Sequence, residues 1–284
     1  MNSVIFDLDN TLYNWVDTIV PAIEVMVKEA SLVTGFAEDR IVRDLRAVNV
    51  TKGTIEHPYS LLEAACIKEY ARKVGASESR RRLDSAFYAF NKYRKSNLEL
   101  YPGAIELLGS LRKMKFRIVA FTESRIEAAV DRLMRLELDR EFDAIYCVRS
   151  VGFSDASLVA DKFYSRIAHA NIFLLDSDVR KPDPLVLRRI VHTQGLDPLK
   201  ALYVGDSLIR DVGMANDAGL TSVWAKYGTK HDPKNMNFLL RITHWTDDEI
   251  RQTMAFEAAT LPRPRYVLED SPLQLVSEVL RLPM

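Results

Sequence analysis

The first apolar run of the chain is short, and it ends at carboxylates. Val4, Ile5 and Phe6 are β-branched or aromatic residues, which favour a buried β-strand. Asp7 and Asp9 follow two residues apart, so a strand that continued through Asp9 would direct both side chains to one side. Neighbouring carboxylates repel each other and are costly to desolvate without a cation or a shared proton. The pattern therefore predicts either a chemically active strand end or an ordinary polar turn.

After this strand the apolar spacing becomes helical. Helices are predicted from about residue 18 and over residues 41–48, 60–74 and 77–95. Pro21 suits the first helix, because first-turn N–H groups have no partner inside the helix. This block contains no convincing strand pattern. We therefore expect residues 15–97 to form a helical domain that is inserted into a second domain made of residues 1–14 and 98–284.

From residue 101 the pattern alternates between strands and helices. The predicted strands are residues 116–121, 144–148, 201–205 and 220–224. The predicted helices are residues 103–113, 126–136 with Ser124 as N-cap, 184–193 with Asp183 as N-cap, 209–218, and 273–282 with a capping box at Ser271 and Gln274. Such alternation predicts an α/β fold, with a doubly wound parallel sheet and helices on both faces.

Two segments interrupt this alternation. Residues 150–170 contain an amphipathic helical pattern, and residues 229–265 are polar and proline-punctuated, with a helix predicted over about residues 246–259.

Composition limits the classes of partner. The 284 residues contain 39 Lys plus Arg and 39 Asp plus Glu, so no net field favours nucleic acid or an anionic membrane. Cys66 and Cys147 are the only cysteines and have no metal-ligand spacing. No apolar run approaches the ~18 residues of a membrane span, and no basic segment precedes the first strand. We expect a cytoplasmic protein; the sequence does not indicate an oligomeric state.

Two residues beyond the first strand suit the binding of an anion. Thr122 follows the strand at residues 116–121, and its hydroxyl could hydrogen-bond a phosphate oxygen. Lys181 precedes Asp183 and Pro184, which resemble the first positions of a helix, so it lies beside the positive helix end. Each has an ordinary alternative, as a common Thr or as a lysine in a Pro-rich turn.

Two more carboxylates follow the strand at residues 201–205. Asp206 comes directly after it, and Asp211 lies about one turn beyond Ser207 on the next helix. Carboxylates at a Gly-containing strand-to-helix turn suit a hard cation such as Mg²⁺. Taken alone, Asp206 would equally serve as a helix cap. Because ligands of doubly wound sheets lie outside the carboxyl ends of the strands, we expect these groups to meet Asp7.

In chain order, the segments DLDNTL, FRIVAF with Thr122, KPDP and GDSLIRDVGMANDAGL resemble the four motifs of the haloacid dehalogenase superfamily. The match is to its phosphatase branch, and residues 15–97 resemble the helical cap that the family inserts between motifs one and two. The resemblance implies that Asp7 is a nucleophile that becomes phosphorylated and Asp9 a general acid and base. It further implies that Thr122 and Lys181 bind the phosphoryl group, and that Mg²⁺ is held by Asp7, the backbone carbonyl of Asp9, Asp206 and Asp211.

The chain departs from the family pattern at two places near these motifs. Val151-Gly152 is followed by a long insertion before Lys181, and Thr122 is followed by Glu123 where a small or amide residue is more usual. Glu123 has two possible roles. It pairs with a basic residue such as Arg125 or Lys181, which we favour slightly, or it binds substrate hydroxyl or ammonium groups.

These features predict a Mg²⁺-dependent phosphoric monoester hydrolase that acts on a small phosphorylated metabolite through an aspartyl phosphate. A phosphomutase or phosphotransferase would share every core residue. A 2-haloacid dehalogenase uses the same nucleophile but needs neither a metal nor an acid at Asp9. A non-enzymatic phospho-aspartate signalling domain also combines Asp, Thr and Lys, although its acceptor lies on a later strand and it has no inserted cap.

Overall fold

A computed structural model of the chain describes residues 2–150, 171–243, 245 and 261–280. The helix predicted over residues 246–259 lies outside the described residues. Of the segment 150–170, in which an amphipathic helical pattern was noted, only Ser150 is described.

The described part of the chain contains a seven-stranded parallel sheet with strand order β4-β3-β2-β1-β5-β6-β7. The strands are β1 (Ser3–Phe6), β2 (Arg117–Arg125), β3 (Ala144–Val148), β4 (Ile172–Leu175), β5 (Ala201–Gly205), β6 (Thr221–Ala225) and β7 (Tyr266–Leu268). β1 is the central strand, and it pairs with both β2 and β5. Its four residues are all buried, as expected for a parallel sheet covered on both faces.

The described helices are α1 (Val16–Thr34), α2 (Glu38–Lys52), α3 (Ala65–Val74), α4 (Ala76–Arg82), α5 (Asp84–Asn97), α6 (Ala104–Lys113), α7 (Ile126–Arg135), α8 (Pro184–Thr193), α9 (Met214–Ala218), α10 (Pro233–Ile242) and α11 (Gln274–Leu280). Alternate strand residues pack on opposite faces of the sheet. Ile5 belongs to a core cluster with Leu187 of α8 and Met214 of α9. Cys147, which points to the other face, packs with Ala129 of α7. The predicted doubly wound α/β fold is confirmed.

The chain divides into two compact units. The first comprises Met1–Asn14, Glu99–Lys230 and Phe256–Met284, and it contains the sheet; the second comprises Trp15–Leu98 and His231–Ala255. The described residues of the second unit form helices α1 to α5 and α10, a 3₁₀ helix at Pro58–Glu63, and no strand. The described residues 231–243 thus group with the helices, although the apolar pattern assigned all of 98–284 to the sheet domain.

Side chains of α10 explain why this late segment joins the helical unit. Asn235 donates to Asp17 of α1 at 2.7 Å, and Asn49 of α2 donates to the carbonyl of Ile242 at 2.8 Å. Lys234 also pairs with Glu24 of α1 at 3.1 Å. These partners are about two hundred positions away in the chain, so local periodicity does not indicate them.

Several local predictions need correction. The pattern predicts single helices over residues 60–74, 77–95 and 209–218. The chain instead forms Pro58–Glu63 followed by α3, then α4 and α5 separated at Leu83, and a π-helix at Leu208–Gly213 followed by α9. These breaks leave the apolar periodicity almost unchanged, which is why the pattern does not resolve them.

The caps give mixed results. Asp183 caps α8 as predicted, accepting from the Leu185 N–H at 2.9 Å. The Gln274 side chain accepts from the Ser271 N–H at 3.4 Å, as a capping box requires, although α11 begins at Gln274. Ser124 is not a cap: it lies within β2, and the N-cap position of α7 is occupied by Arg125.

Candidate active site

Asp7 begins the candidate site at the carboxyl end of the central strand. Its N–H donates to the Val204 carbonyl at 2.8 Å, which continues the pairing of β1 with β5. The side chain is 8% exposed. Thr11 donates to Asp7 Oδ2 at 3.2 Å, and the Lys181 ammonium contacts Oδ1. The carboxylate is therefore buried, with a hydroxyl on one oxygen and a cation on the other.

The turn after Asp7 is shaped by its backbone. Asn10 has a φ of 59°, a left-handed conformation that Asn tolerates better than most residues. The Leu12 N–H donates to the Leu8 carbonyl at 2.9 Å, and Tyr227 donates to the Thr11 carbonyl at 2.6 Å. Gly228 packs so closely that a Cβ there would lie 1.8 Å from the Asn10 carbonyl oxygen. Only glycine permits this approach.

Asp211 lies on the other side of Lys181. The Lys181 Nζ atom is 2.8 Å from Asp211 Oδ1, and both side chains are almost fully buried. Tyr203 donates to the same oxygen at 3.0 Å, while the Ser207 N–H donates to Oδ2 at 3.0 Å. A Cβ on Gly205 would lie 2.3 Å from Asp211 Cγ, so the strand end must be glycine for Asp211 to occupy this position.

Three carboxylates converge here. Asp7, Asp206 and Asp211 each offer an oxygen, and these oxygens all lie within 4.8 Å of one another. Burial raises the pKa of Asp7 to about 7; the positive charge of Lys181 opposes this rise, and the charges of Asp211 and Asp9 add to it. Burial, together with Asp211 and Asp7, also raises the pKa of Asp206 well above its usual value. Buried carboxyl oxygens that repel one another fit a hard divalent cation, which would offset their charge.

Lys181 supplies one positive charge to this cluster. Burial by itself would lower the pKa of its ammonium, but the carboxylates of Asp211 and Asp7 raise it well above the usual range. Lys181 is therefore a permanent cation between two carboxylates.

Asp9 has a different set of partners. Ser124 of β2 donates to Asp9 Oδ2 at 2.6 Å, and the Thr122 hydroxyl lies 3.5 Å from the same oxygen. Arg132 of α7 places Nη2 3.3 Å from Oδ1 and 3.4 Å from Oδ2. The Asp9 side chain is 21% exposed and is not among the clustered carboxylates. This separation is compatible with the sequence-based expectation, in which Asp9 binds Mg²⁺ through its backbone carbonyl and not through its side chain.

Thr122 and Ser124 lie where β2 becomes irregular. The register of β2 against β3 shifts between Phe121 and Arg125, and such irregularities re-aim side chains at strand ends. The Thr122 hydroxyl accepts from the Ser124 N–H at 3.0 Å, and the residue as a whole is 1% exposed. Its contacts in the described residues are thus within the Asp9 network.

Glu123 pairs with a basic residue, as one of its two predicted roles requires. Its partner is the guanidinium of Arg210, and it also accepts from the Lys181 N–H at 2.9 Å. Arg125 instead donates to the carbonyl of Arg149 at 2.6 Å. The Glu123 carboxylate thus connects β2 to the backbone of Lys181 and to the π-helix.

Sequence reasoning brought together Asp7, Lys181, Asp206 and Asp211, but it missed Arg132, Tyr203 and Arg210. Arg132 did leave a signal. It lies on the buried face of α7, three residues after Ala129 and next to Leu133. A charged residue on an apolar helical stripe usually has a buried partner. Tyr203 left no such signal, because a tyrosine in a buried strand is ordinary.

Comparison with known proteins shows the family to which the chain belongs. A family model for haloacid dehalogenase-like hydrolases matches residues 1–219. The chain therefore belongs to the haloacid dehalogenase-like hydrolase family, and the predicted hydrolase class is confirmed. Two relatives are named glyceraldehyde 3-phosphate phosphatase. One, from Methanopyrus kandleri, is 26% identical over 275 residues, which are 95% of this chain and 96% of that protein. The other, from Pyrococcus abyssi, is 25% identical over 236 residues, covering 79% and 81% of the two chains.

Solved structures share the fold. A 2-haloacid dehalogenase from Pseudomonas syringae pv. Tomato DC3000 has a TM-score of 0.56 and 18% identity, covering 99% of this chain and 98% of that one. A structure titled putative beta-phosphoglucomutase, from Thermotoga maritima, has a TM-score of 0.52 and 17% identity, covering 98% and 100%. Within the described residues, no helix has the length and apolar character needed to cross a membrane.

Proposed function

We propose that this hydrolase removes the phosphoryl group from a small phosphorylated metabolite, with Asp7 as the nucleophile. The observation that supports the proposal best is the position of Asp7. It lies at the buried end of the central strand, in contact with Lys181 and within 4.8 Å of two further carboxylates. The relatives named as phosphatases support the same reaction.

In the first step, a carboxylate oxygen of Asp7 attacks phosphorus and the ester P–O bond breaks. Asp9, in its protonated form, gives its proton to the departing alcohol oxygen. In the second step, Asp9 as carboxylate takes a proton from water while the water oxygen attacks the aspartyl phosphate. Inorganic phosphate leaves, and both Asp7 and the protonated Asp9 are restored.

Lys181 and Thr122 would bind the phosphoryl oxygens. The Lys181 ammonium has three N–H donors, and its contacts with Asp7 and Asp211 account for two of them. The remaining donor suits a phosphoryl oxygen next to Asp7. Burial of Lys181 strengthens that contact, because an ionic hydrogen bond is stronger where water is excluded.

The chemistry of the donor set fits Mg²⁺. Asp7, Asp206 and Asp211, together with the backbone carbonyl of Asp9, would hold the ion. When bound, Mg²⁺ supplies positive charge that offsets the repulsion between an anionic nucleophile and an anionic phosphate ester. The protein groups then need only position the phosphoryl group and move the proton.

The helical unit remains the proposed cap, with the role of excluding water and selecting the substrate. Glyceraldehyde 3-phosphate is the first substrate to test, since the relatives that match nearly the whole chain are named for it. A phosphomutase would use the same core residues and would differ in its product.

The test measures phosphate release from a panel that includes glyceraldehyde 3-phosphate, other sugar phosphates, nucleotides and phosphorylated acids, with and without Mg²⁺. We expect Asp7→Asn to remove turnover while the circular dichroism spectrum stays native, because an amide keeps the shape but is not a nucleophile. Asp270→Asn is the matched control. Asp270 is an exposed carboxylate whose ion-pair partner, Lys230 at 3.6 Å, is also exposed, so this variant should hydrolyse the substrate normally.

Normal phosphate release by folded Asp7→Asn protein would refute the proposed nucleophile. An isomeric phosphate ester in place of free phosphate would identify a mutase. Chelator-resistant release of halide from a small halogenated acid would identify a dehalogenase.

A further inference from the structure

Arg132 is the largest fully buried side chain among the described residues, and it faces the carboxylate proposed as the acid. It is 1% exposed. A guanidinium stays charged at every physiological pH and has donors only. A buried cation of this kind requires partners, because its desolvation is otherwise very costly.

The partners of Arg132 surround Asp9. Its Nη2 atom contacts both carboxylate oxygens of Asp9 and the hydroxyl of Ser124. Its Nε donates to the Tyr13 hydroxyl at 3.1 Å. Burial raises the pKa of Tyr13 well above its usual value, so the phenol stays neutral and presents an acceptor to the guanidinium. Arg132 therefore bridges Tyr13, Ser124 and Asp9.

This arrangement determines the direction of the Ser124 hydrogen. Because Arg132 only donates, the Ser124 oxygen must accept from it. The single Ser124 hydrogen is then free for Asp9 Oδ2, which lies 2.6 Å away. Thr122 adds a longer contact to the same oxygen. Asp9 Oδ1 lies 3.3 Å from the same Nη2 atom of Arg132, so the guanidinium faces both oxygens of the carboxylate.

We propose that Arg132 is a positioning residue that, together with Ser124, fixes the Asp9 carboxyl group in the orientation from which it transfers the proton to the leaving group. The inference rests on the proposed function, because it assumes that Asp9 is the general acid. Two anchored contacts from α7 and β2 restrict rotation of the carboxyl group, and effective proton transfer requires such fixed geometry.

A merely structural Arg132 would stabilise the fold and affect all substrates alike. A positioning Arg132 predicts a dependence on the leaving group. An alkyl phosphate needs its departing oxygen protonated, whereas 2,4-dinitrophenyl phosphate releases a stable anion without a proton. The ratio of kcat/KM between these substrates measures acid catalysis in the step that forms the aspartyl phosphate.

The experiment compares Arg132→Gln and Arg132→Lys on the alkyl phosphate that the wild type hydrolyses fastest and on 2,4-dinitrophenyl phosphate. We expect Arg132→Gln to lower kcat/KM for the alkyl phosphate about tenfold or more beyond its effect on the aryl phosphate, since general acids contribute about 10²–10⁴ in rate. Arg132→Lys keeps the charge but loses the fork of donors, so its ratio should be intermediate.

Removal of a buried cation can unfold a protein. Two further variants therefore keep the proposal testable if the Arg132 variants do not fold. Ser124→Ala deletes the hydroxyl that connects Arg132 to Oδ2, and it should shift the ratio in the same direction with a smaller effect on folding. Arg135→Gln is the matched control on the same helix. Its partner Asp131 is on the surface, at 2.9 Å, and both substrates should be unaffected.

Asp9→Asn separates the two levels of the proposal. A large substrate ratio in Asp9→Asn combined with equal losses on both substrates in folded Arg132 and Ser124 variants would overturn the role of Arg132 alone. If Asp9→Asn lowered kcat/KM equally for the alkyl and the aryl phosphate, Asp9 would not be the general acid, and the inference about Arg132 would be overturned with it. Matching ratios in all three positions would support the anchoring network.

Discussion

The replacement of Gly205 by alanine tests the packing that places Asp211 in the site. A Cβ at this position would lie 2.3 Å from Cγ and 2.5 Å from Cβ of Asp211, whereas carbon atoms in contact are about 3.5–4.0 Å apart. Asp211 is 2% exposed and accepts hydrogen bonds from Tyr203, Lys181 and the Ser207 N–H. The neighbour is therefore not a flexible surface side chain that could turn away without loss.

The expected cost has two parts. Overpacking of a buried position costs about 1–3 kcal/mol, and the weakening of one charged hydrogen bond adds roughly 1.5–3 kcal/mol. We therefore expect the free energy of unfolding of the α/β unit to fall by about 2.5–6 kcal/mol. For a unit of this size, a loss of 3 kcal/mol lowers Tm by roughly 6–12 °C.

Thermal and urea denaturation, followed by near-ultraviolet circular dichroism, would measure the loss. Gly109→Ala is the matched control, because Gly109 lies inside α6 and a Cβ there meets nothing within 4 Å. That variant should gain about 0.5–1 kcal/mol from helix propensity. If Gly205→Ala were as stable as the wild type, Asp211 would not pack against this strand end, and the described geometry of the carboxylate cluster would be refuted.

Three further predictions concern the cation, the loop of Lys181 and the helical unit. Chelation should abolish phosphate release, and Asp206→Ala should remove most of the Mg²⁺-dependent rise in Tm; an unchanged rise would exclude Asp206 as a ligand. Glu123→Gln weakens the contacts with Arg210 and the Lys181 N–H, so it should lower kcat by a similar factor on every substrate in the panel, whereas a changed ranking of substrates would make Glu123 a specificity residue. Burial lowers the pKa of His57 from 6.5 to about 4. Between these two values the unfolded chain binds the proton more readily than the folded protein does. The free energy of unfolding should therefore be highest above pH 6.5 and decline by up to roughly 3 kcal/mol as the pH falls towards 4. His57→Gln should flatten that decline in acid denaturation measured by far-ultraviolet circular dichroism, and an equal decline in the variant would contradict the assignment.

The sequence by itself determined the framework of this protein. Apolar runs and turn residues placed most strands and α8 within a residue or two of their observed bounds, because buried parallel strands consist of continuous apolar residues. Parallel strands also direct their carboxyl ends to one edge of the sheet. Knowing that Asp7 and Asp206 follow strands was therefore enough to expect them at the same place.

Residues 231–243 show that the local sequence pattern does not indicate which of the two units a segment joins. Their composition identified them as an addition to the common core, but not the unit to which they belong. The unit to which they belong depends on side-chain contacts such as that between Asp17 and Asn235, which are 218 positions apart in the chain. Periodicity indicates which face of α10 is apolar, and many surfaces of the protein can cover an apolar face.

Only the tertiary structure decided how the charges are paired. Asp9 was recognised from its motif, yet its partner Arg132 lies 123 positions later and was noticeable only as a charge on a buried helical stripe. Glu123 was expected to find a cation, and it was the fold that placed Arg210 beside it rather than Arg125. The physical reason is one of range. Hydrophobic burial is largely additive and appears in local periodicity, whereas an ion pair depends on angstrom-scale distances that exist only after the elements have packed.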